Sequence, residues 1–323
     1  MKKIENLWLD KGIPKTAALD KCPFKLKDKN RLNIIALGDV GMTVLIGLRL
    51  LGADAVSSIG ILDLSEDNMN RLEMEINQIR YPFSIKELPP VDIISEDELF
   101  DCDVVVFCAS RGVPPIGHKG DVRMAQLEAN RNIIAHYGEL AKEKEYKGMI
   151  AVVSDPVDPL CRAFKDAAQL QPYQIQGYGL GVMNARASYY AEKDLRFAHY
   201  REEGAAFGPH GADLVIADSI KNYNHELSCE LTALAVNANM KVRDLGYKPY
   251  IAPALSSAAI SIILTLQGEY HYSSIYLGDK NEGAFLGIRN VMTDKGIIYE
   301  DFDLDEELYA RIKKAYDNLV AIR

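Results

Sequence analysis
The chain has 323 residues, 48% of them hydrophobic, enough to bury the core of one large α/β unit or of two domains. A net charge of −9 excludes binding modes that depend on a basic surface, so neither nucleic acid nor an anionic membrane is an expected partner. The five cysteines (Cys22, Cys102, Cys108, Cys161, Cys229) are scattered and form no CxxC pair, which reads as buried thiols and no structural metal. Charges interrupt the opening MKKIENLWLDKG, and no apolar run approaches the roughly 18–20 residues of a membrane span. A cytoplasmic protein is expected.

Residues 1–30 read as an N-terminal extension without sustained periodicity. From Leu32 onward, short apolar runs alternate with amphipathic stretches. Continuous runs at 33–37, 59–62, 104–108 and 149–153 suit strands covered on both faces of a parallel sheet. Between them the spacing predicts helices over 41–52, 66–78 and 121–143, the last with Leu127, Ile134, Tyr137 and Ala141 on one face. Strands alternating with helices imply right-handed crossovers and a doubly wound sheet. The second half predicts helices at 182–196, 225–242 and 255–266, Gly-punctuated strands within 269–298, and a closing amphipathic helix at 304–322. That mixture is α+β.

The stretch IIALGDVGMTV carries a worn dinucleotide fingerprint, with Ala36, Gly38 and Gly41 standing in the frame of three glycines. Such a loop needs close backbone approach to a pyrophosphate at a helix N-terminus, and Asp39 competes for that terminus as a cap. Asp63 ends the second strand-like run, about 20 residues beyond Gly41, where a carboxylate accepts hydrogen bonds from the adenosine ribose. It reads equally as the N-cap of the next helix.

In this order, ALGDVG, ILD, ASRG, GDVRMAQLEANRNI, VVSDPVD, GLGVMNAR, GPHGAD and the acidic last helix resemble the lactate/malate dehydrogenase family over residues 31–323. The resemblance implies a Rossmann NAD-binding domain at 31–176 and a substrate domain at 177–323. It implies hydride transfer between NAD and a 2-hydroxy or 2-keto acid, in a homodimer or homotetramer built through helices like those near 182–196 and 225–242. His210 matches the acid/base, Arg186 the carboxylate anchor and Arg123 the mobile-loop arginine that polarises the carbonyl. Gly38, Asp39, Val40 and Gly41 match the phosphate loop, and Asp63 the ribose carboxylate. Ala109 and Arg111 match residues beside the pyrophosphate. Each has a plainer reading: a turn histidine, helix-surface arginines, a loop arginine.

Three departures qualify the match. Asp155 stands where the family has an asparagine whose amide donates toward the substrate oxygen, and a carboxylate does not donate. An amino-bearing substrate that pairs with Asp155 is therefore an alternative. Met183 stands where an aspartate orients the histidine, leaving Asn184 or Asp213 as substitutes and a non-catalytic NAD- or metabolite-binding relative as a further alternative. The stretch RGVPPIGHKGDV is longer than its counterparts, so the specificity position is unreadable, with His118 and Lys119 as candidates.

Overall fold
Short runs rich in Val, Ile and Leu form the first strands: β1 (Asn30–Ile35), β2 (Val56–Leu62), β3 (Val91–Ile93), β4 (Val104–Phe107), β5 (Met149–Val152) and β6 (Ile175–Gly177). The computed structural model describes residues 2–13, 27–83, 86–111, 122–279 and 282–322, without the side chains of 122–126. All pairings among these six strands are parallel. Side chains alternate between two cores: Val104 and Val106 face one, Val105 and Phe107 the other. The sheet is thus covered on both faces, and continuous apolar runs are its sequence signature.

The helices supply the covers. They are α1 (Asn6–Leu9), α2 (Asp39–Leu51), α3 (Glu66–Asn77), α4 (Val122–Glu143), α5 (Val157–Ala168), α6 (Leu180–Ala191), α7 (Tyr200–Glu203), α8 (His225–Asp244), α9 (Ile260–Gln267) and α10 (Glu306–Ala321). Leu127, Ile134 and Ala141 of α4 are buried as their shared face requires, against Phe164 of α5. On the opposite face α2 meets a π-helical turn, Pro253–Ala259, that runs into α9. A side chain at Gly47 would come within 2.6 Å of the Ala259 Cβ, so α2 needs a glycine there to pack this closely.

The remaining strands are β7 (Ala205–Phe207), β8 (Val215–Ala217), β9 (His271–Gly278), β10 (Gly283–Thr293) and β11 (Gly296–Tyr299). The large sheet has nine strands in the order β11-β10-β9-β6-β5-β4-β1-β2-β3, and β7–β8 is a separate hairpin. From β9 onward the pairing is antiparallel, so a parallel sheet continues into an antiparallel edge. No helix among the described residues is long and apolar enough to cross a membrane.

Two expectations change. Helix 182–196 stops at Ala191, because the Asp194 carboxylate accepts the Arg196 N–H and starts a separate short turn. Residues 2–13 are not a bare extension: Ile4, Leu7 and Trp8, at i, i+3, i+4 spacing, are buried in the main core. Trp8 meets Tyr299 edge-on, and Lys11 pairs with Asp317 at 2.8 Å.

Candidate active site
The candidate residues collect where the parallel strands end. The order reverses between β4 and β1, and the crevice outside the carboxyl ends at such a switch point is where open α/β sheets bind ligands.

β1 stops at Ile35 because Ala36 turns to φ 69°, the left-handed region that glycine occupies without strain. The glycine absent from the fingerprint is thus absent where the backbone favours one. Ala36→Gly is expected to stabilise the chain by roughly 0.5–1 kcal/mol, the relief of Cβ strain less the added freedom of the unfolded chain. A lower urea midpoint for the variant would refute this.

Gly41 has no substitute, since a Cβ there would lie 1.9 Å from the Ala36 carbonyl oxygen. Gly38 is the N-cap of α2, exposed and in open space, and no side chain caps that helix. Val40 is half-buried against the core. Asp39 does not cap α2: its carboxylate pairs with Lys248 Nζ at 2.8 Å. Asp63 accepts the Leu37 N–H at 2.5 Å and the Ser65 N–H at 2.9 Å, tying the end of β2 to the glycine loop. The cap of α3 is Ser65, not Asp63. An uncapped helix start behind an open glycine, with a carboxylate at the end of the second strand, fits a dinucleotide's pyrophosphate and ribose.

The second cluster lies just past β4 and β5. Asn130, fully buried on α4, accepts the Arg111 N–H at 3.0 Å and donates to the Asp155 carbonyl at 3.0 Å. Ser154 Oγ donates to the Ala109 carbonyl at 2.7 Å. These bonds hold the ends of β4 and β5 side by side, with the Arg111 side chain exposed. The Asp155–Pro156 bond is cis. Asp155 Oδ1 stands 3.1 Å from His210 Nδ1.

His210 lies in the turn between β7 and β8, and its Cβ rests against Gly179, where a side chain would come within 2.9 Å. The substitutes named for Met183 are engaged elsewhere. Asn184 Oδ1 accepts the Tyr200 hydroxyl at 2.8 Å, and Asp213 accepts from Asn318 at 3.1 Å. The carboxylate beside the histidine is Asp155, so its charge meets an imidazole of this chain.

Behind this pair Asp158 is buried, and burial pushes its carboxyl up to about 7 despite a 2.5 Å hydrogen bond from Ser274 Oγ. An unfolded aspartate releases its proton near pH 4. From there to pH 7 the folded chain holds a proton the unfolded chain has lost, so stability falls as pH rises through that window. Asp158→Asn is expected to flatten the slope by roughly 2 kcal/mol between pH 5 and 7. Urea midpoints at the two pH values measure it; parallel slopes in both proteins would refute it.

Arg186 on α6 is half-buried, and burial lowers its affinity for the proton. Among the described residues its guanidinium has two weak contacts, Met183 Sδ at 3.4 Å and the Ala235 carbonyl at 3.5 Å, and no carboxylate partner. Arg123 falls in the first turn of α4, and its side chain, like the whole of His118 and Lys119, lies outside the described residues. Sequence reading missed Lys248, which reaches Asp39 across 209 residues and carries no local signal. It missed the buried Asp158 too, which the DPVD motif contains.

Fold and site together present a doubly wound α/β protein with a glycine loop at its switch point and a histidine–carboxylate pair past β5. Residues 30–177 match the family described as lactate/malate dehydrogenase, NAD binding domain. An L-lactate dehydrogenase from Mesomycoplasma hyopneumoniae is 25% identical over 220 residues, 67% of either chain. Among solved structures, the minor L-lactate dehydrogenase of Enterococcus mundtii aligns with a TM-score of 0.76 at 17% identity, covering 92% of this chain and 98% of that one. The malate dehydrogenase of Picrophilus torridus aligns with 0.73 at 19%, covering 90% and 94%. At such identities the structural likeness is a likeness of fold. Residues 30–177 thus match that family's NAD-binding domain, and the chain as a whole is similar to lactate and malate dehydrogenases at low identity.

Proposed function
We propose that the protein is an NAD-dependent dehydrogenase that interconverts a 2-keto and a 2-hydroxy acid, with His210 as the acid/base. The observation that carries this reading is the His210–Asp155 pair at 3.1 Å. Residues 31–176 serve as the cofactor domain and 177–323 as the substrate domain. NAD, when bound, supplies the hydride acceptor or donor.

The chain's own residues do the rest. Asp155 holds Nδ1 of the imidazole, which leaves Nε2 to give a proton to the carbonyl oxygen during reduction and to take it back during oxidation. The Arg186 guanidinium receives the substrate carboxylate through two parallel hydrogen bonds. The resemblance gives Arg123, at the start of α4, the role of polarising the carbonyl. Asp155 therefore replaces the family's orienting aspartate, with the carboxylate carried at the end of β5 instead of on α6.

A panel of 2-keto acids assayed with NADH and NADPH tests the reading. Reduction with NADH is expected, and NADPH should serve poorly because Asp63 repels a ribose 2′-phosphate. Failure to reduce any 2-keto acid while NADH binds would overturn the enzymatic reading, and a preference for NADPH would overturn the role of Asp63.

A further inference from the structure
We infer that the acid handled beside Arg186 carries a single carboxylate and a large aromatic or branched aliphatic body, received by the cavity next to that arginine. This rests on Arg186 as carboxylate anchor. The cavity lies between α6, the end of α8 and the segment 248–253, with a volume of about 520 Å³. That is within the ~300–1,000 Å³ of small-molecule sites. A methyl group would leave most of it unfilled. Its walls are Tyr189, Tyr190, Val242, Leu245, Ile251 and Pro253.

The charges are one-sided. Three cations, Arg186, Lys241 and Lys248, line the cavity with no acidic side chain, in a chain whose net charge is −9. Lys248 is taken up by Asp39, and Lys241 stands 4.6 Å over the Tyr190 ring. The guanidinium has no carboxylate of its own among the described residues. Of the three, Arg186 alone is half-buried while both lysines are exposed to water, so it is the anchor for one anionic head, and the body of the acid meets rings and aliphatic walls.

The test reads binding by calorimetry on the full chain, with and without NADH, for phenylpyruvate, 4-methyl-2-oxopentanoate, pyruvate and oxaloacetate. Phenylpyruvate or 4-methyl-2-oxopentanoate is expected to bind at least about tenfold tighter than the two small acids, the scale of burying a large apolar side chain. Ala238→Phe and, separately, Ala252→Leu narrow the cavity from different elements and should each bring the ratio to within about twofold. Unfolding midpoints identify the variants that remain folded, and the wild-type ratio stands apart from both.

Equal or tighter binding of pyruvate or oxaloacetate overturns the inference. So does an advantage that survives in folded variants, or a dimer that Leu245→Glu dissociates, which would give the face to a second copy. A chain that binds with the expected pattern yet reduces nothing supports this inference and overturns the dehydrogenase reading alone.

Discussion

Arg186→Lys is expected to raise the KM for the preferred 2-keto acid about 100-fold, while NADH affinity stays within about twofold. A guanidinium offers a carboxylate two parallel hydrogen bonds, whereas an ammonium offers a point charge on a flexible stem. Burial enlarges the difference: it already lowers the arginine's affinity for the proton, and a lysine in that place sheds its proton far more readily. The two weak contacts to Met183 and Ala235 give the new ammonium little to hold it in position. Equal losses of NADH and acid affinity would instead assign Arg186 to the packing of α6 on α8.

The parallel half of the fold was legible because its strands are covered on both faces and write themselves as unbroken apolar runs, such as VVVF at β4. Three-residue strands were not. VDI, IQG, AAF and VIA are too short to carry a period: VDI and IQG become strands by pairing with longer neighbours, AAF and VIA by pairing with each other. Residues 2–13 escaped for the same reason, since one turn bearing Leu7 and Trp8 shows no repeat.

In the site, motif order offers His210, Arg186 and the glycine loop as candidates. Partnerships were not written there. His210 and Asp155 stand 55 residues apart, and the nearer candidates are committed to Tyr200 and Asn318. Lys248 was invisible for a related reason, because its partner belongs to the opposite end of the chain.

Asp155→Asn is expected to slow 2-keto-acid reduction about 100-fold at neutral pH. The carboxylate accepts the Nδ1–H and fixes the tautomer and ring orientation that leave Nε2 to serve the substrate, whereas an amide both donates and accepts and holds the ring less well. The loss is smaller than the roughly 10⁴-fold known where such a carboxylate is buried, because Asp155 is half exposed and water screens it. Met183→Asp alone brings no gain here. Met183 Sδ already touches the Arg186 guanidinium, so the new carboxylate has an arginine to capture and competes with the substrate for it. Combining the two changes is the decisive comparison. Arg186 is still there to capture the new carboxylate, so the double variant should be no faster than Asp155→Asn. A double variant clearly faster than Asp155→Asn would mean that a carboxylate at position 183 reaches the imidazole, and an unchanged rate in Asp155→Asn would remove Asp155 from the support of His210.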